Sequence, residues 1–201
     1  MKPSPRYFRT LVLVGLVAAL LAGFSLLQLR AGGARAYYGT PLDDPPLVAP
    51  FELTDAEGKR VTLSKWRGEL LLVFFGFTHC PDVCPLTLGR LAKVYDDLGR
   101  PEDVQVVMIT VDPARDTPGL TQRYASSFDP AFVGLGGSSE DVARAAQTFF
   151  VGYRELKDKG FLHTDSVALL DREGKMRLVY GQDKVAGLTE DLSRILKARN
   201  F

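Results

Sequence analysis

The two cysteines of this 201-residue chain are separated by three residues, in the stretch FFGFTHCPDVCP at residues 74–85. Cys80 and Cys84 therefore stand one residue further apart than the cysteines of a C-x-x-C motif. On a helix, this spacing puts both side chains on one face, with Cβ atoms about 5–6 Å apart. Two thiolates at that separation can bind one metal ion or form a disulfide. Because a disulfide closing so small a loop adds little stability, the spacing indicates chemistry; an inert buried pair is the alternative.

The pattern of apolar residues predicts the elements that position these cysteines. The continuously apolar run ELLLVFFGF predicts a central strand at 69–77 that is buried on both faces, and a helix follows it. A second buried strand is predicted at 104–111, and then a helix with a Thr-Pro start. Two hairpins (FELTDAEGKRVTL and SVALLDREGKMRLVYG) and two helices (SSEDVARAAQTFF and TEDLSRILKAR) complete the pattern. This order predicts an α/β thioredoxin-like fold, with the cysteines at a helix N-terminus that favours the thiolate.

A metal site with two thiolates needs at least one further ligand, and the chain contains two histidines. His163 directly precedes the predicted strand SVALL, and in a thioredoxin-like sheet that loop lies beside the cysteine-bearing turn. We therefore predict His163 as the third ligand, the alternative being an ordinary surface histidine. His79 is the weaker candidate, because neighbouring side chains of an extended segment point to opposite sides. Two sulfurs and one nitrogen suit copper(I), and also zinc, whereas Mg²⁺ and Ca²⁺ prefer oxygen.

The first 46 residues predict a membrane attachment. Residues 11–29 contain no charge and nearly reach the roughly 20 residues that a membrane-spanning helix needs. We interpret residues 1–10 as a cytoplasmic N-terminus, 11–29 as a transmembrane signal anchor, 30–46 as a linker and 47–201 as the thioredoxin-like metal-binding domain. A signal peptide cleaved after the A-x-A sequence at 34–36 is the stronger alternative, and a buried core helix is the weaker one.

The distribution of charge indicates orientation and excludes one class of partner. Three basic residues precede the apolar run, which favours a cytoplasmic N-terminus and a domain outside the cytoplasm. No long Arg- and Ser-rich transit peptide is present, which favours a bacterial inner membrane. All 24 acidic residues follow residue 42, and no basic stripe is found that could bind a nucleic acid.

Three stretches resemble the Sco (SenC/PrrC) family, membrane-anchored copper-binding assembly factors of cytochrome c oxidase. FFGFTHCPDVCP resembles the family signature FGFTxCPDxCP, and TVDPARDTP at 110–118 resembles its VDPxRDTP stretch. LHTDSVALLDREG resembles the distal histidine motif, although many members have Asp where this chain has Leu162. The resemblance covers about residues 46–199.

The resemblance implies that Cys80, Cys84 and His163 bind copper, as Cu(I) or Cu(II). It implies a metallochaperone that delivers one copper ion to the binuclear copper (CuA) site of a cytochrome c oxidase subunit, with other copper chaperones or thiol reductants as further partners. The alternative is an enzyme, a thiol-disulfide oxidoreductase that reduces the cysteines of that site with Cys80 and Cys84 as its catalytic pair. A thiol peroxidase is disfavoured, because the Pro-x-x-x-Thr-x-x-Cys frame is missing.

Two acidic residues match the VDPxRDTP stretch. We interpret Asp112 as part of a turn and Asp116 as part of a helix start, which are common positions for Asp before Pro or Thr-Pro. The alternative for Asp112 is a role near the metal or at a partner surface.

Overall fold

The computed structural model describes residues 15–19, 21, 23, 36–156 and 160–198. The chain divides into two compact units, residues 1–36 and 37–201. Residues 15–19, 21 and 23 of the first unit are helical, and the rest of the predicted anchor at 11–29 lies outside the described residues. Among the helices that are described, none is both long enough and apolar enough to cross a membrane.

A six-stranded mixed sheet forms the centre of the second unit. The strands described there are β1 Thr40–Pro41, β2 Leu53–Thr54, β3 Arg60–Val61, β4 Leu70–Gly76, β5 Val104–Thr110, β6 Val133–Leu135, β7 Tyr153–Leu156, β8 Gly160–His163, β9 Ser166–Leu170 and β10 Met176–Gly181. The sheet has the order β1-β10-β9-β4-β5-β6, in which β4, β5 and β6 are parallel and the other neighbours antiparallel. β2 with β3 and β7 with β8 form separate hairpins. The predicted α/β class is confirmed.

Two of the four helices described in this unit start at the caps that the sequence predicts. The four are α1 Val83–Asp97, α2 Pro118–Ser126, α3 Ser139–Thr148 and α4 Leu188–Ala198, with short 3-10 helices at Leu63–Trp66 and Val185–Gly187. Thr117 caps α2 by accepting a hydrogen bond from the backbone N–H of Leu120 at 3.3 Å. Ser138 and Asp141 form the predicted capping box of α3. α1 packs against α4, and α2 against β5 and β6.

The central strand β4 determines where the chemistry lies. All seven of its residues are buried, because β4 pairs on both sides and both of its faces are covered. It runs parallel to β5, with Gly76 opposite Thr110, and antiparallel to β9, with Phe74 opposite Val167. The carboxyl ends of β4 and β5 and the amino end of β9 therefore meet at one edge of the sheet.

Part of the predicted linker belongs to the folded unit. β1 lies within residues 30–46, and its Thr40 pairs with Val179 of β10. The backbone N–H of Gly39 donates to Oδ2 of the buried Asp191 at 3.1 Å, and the hydroxyl of Tyr180 donates to the same oxygen at 3.0 Å. A strand of two residues has no sequence period of its own, and these tertiary contacts explain why composition alone predicted a linker.

Gly134→Ala is expected to destabilise the unit by at least about 2 kcal/mol, because overpacking forces the backbone to move. A Cβ at Gly134 of β6 would lie 2.3 Å from the carbonyl oxygen of Thr121 in α2. Gly89→Ala is the matched control, since nothing lies within 4 Å of a Cβ at this exposed position of α1. It is expected to stabilise the protein by about 0.5–1 kcal/mol. Thermal unfolding of both variants measures the difference, and equal melting temperatures would contradict it.

Candidate metal centre

Three chain segments meet at the edge of the sheet where β4 and β5 end and β9 begins. The segment after β4 carries Cys80, the segment after β5 carries Asp112 and Asp116, and the segment before β9 follows His163. Helix α1 starts within this group, so that Cys84 occupies its second position. The order of the strands thus brings residues far apart in the sequence to one edge of the sheet.

Cys84 contacts His163 directly. The Cys84 side chain is 0% exposed, and its Sγ lies 3.6 Å from Nε2 of His163, which is 79 residues away in the chain. Gly76, the last residue of β4, makes room for this sulfur. A Cβ at Gly76 would lie 3.1 Å from Sγ of Cys84 and 2.7 Å from the ring of Phe74. Helix α1, the cysteine helix, and residues 163–165, the histidine loop, therefore lie against each other, as the thioredoxin-like fold predicts.

The ring of His163 is held so that Nε2 faces the sulfur of Cys84. Its Nδ1 lies 3.1 Å from the carbonyl oxygen of Thr164. Because a carbonyl can only accept, Nδ1 carries the proton and Nε2 directs its lone pair at Cys84. The rings of Phe74 and Phe77 make edge contacts with the imidazole, with centroids 6.2 and 5.9 Å away. Proteins orient histidine metal ligands by such a bond from the far ring nitrogen to a carbonyl.

The sulfur of Cys80 caps the helix that carries Cys84. Cys80 is partly buried, and its Sγ accepts a hydrogen bond from the backbone N–H of Cys84 at 3.4 Å. This amide is one of those at a helix N-terminus that have no partner within the helix. Asp82 occupies the N-cap position, but its side chain makes no capping bond. Both thiols are free, and the bond keeps the sulfur of Cys80 beside the start of α1.

Burial controls the protonation of Cys84. It raises the pKa of this thiol well above the ordinary value, and the nearby Cys80 and Asp165 add to the effect, while a backbone hydrogen bond at Phe77 opposes it. The sequence predicted a helix N-terminus that favours the thiolate. At Cys84 burial is the largest of the effects that shift the pKa, because the anion loses its hydration. A metal ion must displace this proton, so metal affinity is expected to rise with pH.

Asp116 attaches the loop between β4 and α1, which carries Cys80, to the end of β5. Its buried carboxylate accepts hydrogen bonds from the backbone N–H of Thr78 at 2.8 Å and from the hydroxyls of Thr78 and Thr110 at 2.6 and 2.8 Å. His79 lies on this side, with Nδ1 3.5 Å from the same carboxylate. The interpretation of Asp116 as a helix start is incomplete, since Thr117 is the cap and Asp116 reaches back to the loop.

Asp112 forms the turn that the sequence predicts. Its carbonyl oxygen accepts hydrogen bonds from the backbone N–H groups of Arg115 at 3.1 Å and of Asp116 at 2.9 Å. Its own N–H donates to Oγ1 of Thr110 at 3.0 Å, and its carboxylate pairs with the Arg115 guanidinium. The turn interpretation of Asp112 is confirmed.

The predicted ligands are close to one another but are not assembled around a point. Within the residues that the structure describes, no three side chains of His, Cys, Asp or Glu are gathered closely enough to hold a metal ion. Cys84 contacts His163, and Cys80 is bonded to the Cys84 amide. Two sulfurs and an imidazole nitrogen nevertheless fit a soft metal ion by their chemistry.

Two residues that shape this centre were not predicted from the sequence. Gly76 ends a fully apolar strand, and an isolated glycine in a strand is a recognised signal for the close approach of another group. Thr164 acts through its backbone carbonyl, for which the sequence contains no signal.

The fold and the centre together define a class of protein: a thioredoxin-like α/β domain with two thiols at the start of a helix and an imidazole facing them. The family model SCO1/SenC matches residues 39–197, and the chain belongs to this family. The human protein SCO1 homolog, mitochondrial, is 33% identical over 92% of this chain and 65% of its own length. The SCO2-like protein of Rickettsia felis is 30% identical over 87% of this chain and 90% of its own length. The chain thus spans slightly less than two thirds of the human relative.

Solved structures of the family are similar to this one. The solution structure of the apo Sco1 protein from Thermus thermophilus is 43% identical, with a TM-score of 0.71 over 83% of this chain and 99% of its own. The structure of Bradyrhizobium japonicum ScoI with copper bound is 35% identical, with a TM-score of 0.67 over 74% of this chain and 99% of its own. BsSco, described as a member of the Sco family of cytochrome c oxidase assembly proteins, has the same fold at 24% identity and a TM-score of 0.64 over 80% of this chain and 95% of its own.

Proposed function

We propose that this chain is a copper metallochaperone that holds one copper ion with Cys80, Cys84 and His163. It delivers the ion to the CuA site of a cytochrome c oxidase subunit during assembly. The observation that carries the proposal is the geometry of His163, whose Nδ1 is bonded to a carbonyl while Nε2 faces the buried sulfur of Cys84. Loss of the thiol proton to a metal ion would leave this sulfur and this nitrogen as adjacent donors for one ion.

The choice of copper follows from the donor set and from the family. Two thiolates and an imidazole favour copper(I), and copper also exceeds zinc in the stability order of divalent ions. The relative from Bradyrhizobium japonicum has been solved with copper bound, which supports the same cargo here. The description of the Sco family as cytochrome c oxidase assembly proteins supports an oxidase subunit as the client that receives the copper.

Transfer to the client proceeds by exchange of one ligand at a time. Cys84 is fully buried, whereas Cys80 is partly exposed. His163 is partly exposed as well, so an incoming thiolate meets the ion on the side of Cys80 and His163, and Cys84 holds it until the new bonds have formed. Stepwise exchange avoids a bare copper ion, and so has a lower barrier than dissociation.

The membrane anchor predicted at 11–29 places this chemistry next to a membrane-bound client. In the proposed topology, the domain lies outside the cytoplasm at the inner membrane of a bacterium. Attachment to one membrane raises the effective concentration of carrier and client without any further contact between them.

A second candidate function is thiol-disulfide exchange on the cysteines of the same client. The observation in its favour is the pair of free thiols at a helix start, with Cys80 partly exposed and bonded to the Cys84 amide. Such a dithiol can attack with one sulfur and resolve with the other.

The proposal is tested by metal titration of the reduced, detergent-solubilised full chain. We expect one copper(I) per chain, bound much more tightly than zinc, because the donor set is soft. Competition with a chromophoric copper(I) chelator gives the affinity, and elemental analysis after gel filtration gives the stoichiometry. Displacement of copper by equimolar zinc, or copper left entirely with the chelator, would refute the proposed function as a copper carrier.

A further inference from the structure

Gln182, the residue directly after β10, contacts both segments that carry the predicted ligands. Its Nε2 donates to Oδ1 of Asp165 at 2.9 Å and also to Oγ1 of Thr87. Asp165 lies two residues after His163, and Thr87 lies three residues after Cys84 on α1. One side-chain amide therefore joins the histidine loop to the cysteine helix.

The orientation of this amide is fixed by its partners. Oε1 of Gln182 accepts a hydrogen bond from Nη1 of Arg90 at 2.6 Å, and the backbone oxygen of Gln182 accepts from the same nitrogen at 2.9 Å. Thr87 donates its own hydroxyl hydrogen to the carbonyl of Val83 at 2.9 Å, so it must accept from Gln182. Turning the amide over would bring its oxygen against the Asp165 carboxylate and its N–H groups against the Arg90 guanidinium.

The strand that leads into the histidine loop lies outside the main sheet, and the loop joins that sheet where β9 begins at Ser166. Among the described strands, β8 pairs with β7 in a separate hairpin. The N–H of Thr164 donates to the carbonyl of Gly152 at 2.8 Å, which holds the loop to the start of that hairpin. Neither contact connects the loop to α1, whereas Gln182 does so beside the direct contact of His163 with Cys84.

We propose that Gln182 is a positioning residue that sets the separation of Cys84 and His163 and so keeps the imidazole available as a metal ligand. The second half of this inference rests on the proposed function. Gln182 acts through Asp165 and Thr87 and does not itself contact a metal ion. Partners of this kind behind metal ligands typically change metal affinity by about 10- to 100-fold.

Gln182→Met tests the inference in the full chain, since methionine has a similar length but cannot form the three side-chain hydrogen bonds. Copper(I) affinity, measured by chelator competition, is expected to fall about 10- to 100-fold. The nitrogen hyperfine coupling in the electron paramagnetic resonance spectrum of the copper(II) form is expected to weaken. Thr87→Val is combined with Gln182→Met in a double-mutant cycle. The loss of copper affinity in the double variant should be smaller than the sum of the losses in the two single variants, because both changes break the same connection.

Gln122→Met is the matched control. Gln122 of α2 is also half-buried, donates to the carbonyl of Phe132 at 3.0 Å and accepts from the N–H of Gly134 at 2.8 Å, so its loss removes a comparable amide elsewhere. It should lower the melting temperature and leave copper affinity unchanged. An equal loss of affinity in this control would overturn the inference, because it would show a general effect of stability.

A measurement without metal separates this inference from the proposed function. The chain has only two histidines, so the ring signals of His163 and His79 can be distinguished by nuclear magnetic resonance. In metal-free Gln182→Met, we expect the His163 signals to shift and broaden while those of His79 stay in place. Unchanged His163 signals would overturn the positioning role. If the parent chain bound no copper, the proposed function would fail, and these signals would still decide the role of Gln182.

Discussion

Cys84→Ser is expected to abolish tight copper(I) binding. Cys84 is the fully buried sulfur that contacts His163, so its loss removes the donor at the centre of the predicted set. A serine hydroxyl is a hard, neutral oxygen donor and does not replace a thiolate for a soft ion. Cys80→Ser is expected to have the same effect, because one thiolate and one imidazole remain in either variant. Chelator competition with the reduced full chain measures the loss.

Leu86→Ser provides the matched control for both cysteine variants. It introduces the same residue into α1 two positions beyond Cys84, at a side chain that is already 46% exposed. Its copper affinity should equal that of the parent. A Cys84→Ser chain that held copper as tightly as the parent would exclude a site built from two thiolates.

His163→Ala is expected to reduce copper affinity by orders of magnitude while the thiols still oxidise and reduce reversibly. The imidazole is the predicted third donor, whereas dithiol exchange requires only Cys80 and Cys84. Some change in thiol reactivity is expected, because His163 contacts Cys84. His79→Ala is the control, since this ring is 57% exposed and lies beside Asp116. Copper titration and thiol titration of the same preparations measure the two properties separately.

The same two variants distinguish the carrier from the reductase in cells that lack the native protein. A carrier requires His163, so His163→Ala should leave the CuA site of the oxidase unassembled, while His79→Ala should restore it. Immunoblotting must show equal amounts of both variants. Full assembly with His163→Ala would refute copper delivery as the main task and favour thiol-disulfide exchange.

The sequence predicted those elements whose residues carry a strong local pattern. The apolar runs that became β4 and β5 fit strands buried on both faces, and the Thr-Pro and Ser-x-x-Asp starts of α2 and α3 are local capping signals. Cys80 and Cys84 could be placed at a strand-helix junction for the same reason. The meeting of Cys84 and His163 then followed from the order of the strands.

Other parts of the centre depend on contacts between distant residues. The hairpin of β7 and β8 carries His163 at its end, yet its sequence lacks the alternation that predicts strands. Asp116 carried a local signal for a helix start, and only the structure shows its carboxylate at Thr78. Gln182 is 95 residues from Thr87, and no spacing in a single sequence indicates that they are bonded.

The sulfur cap of α1 has a consequence for the oxidation state of the cargo. The amide of Cys84 donates to Sγ of Cys80, and hydrogen bonds to a ligand sulfur withdraw electron density from it. A sulfur with less density is a weaker donor, and this penalises the more highly charged copper(II) more than copper(I). With copper bound as proposed, the first turn of α1 would therefore raise the reduction potential of the ion and favour its transport in the reduced state.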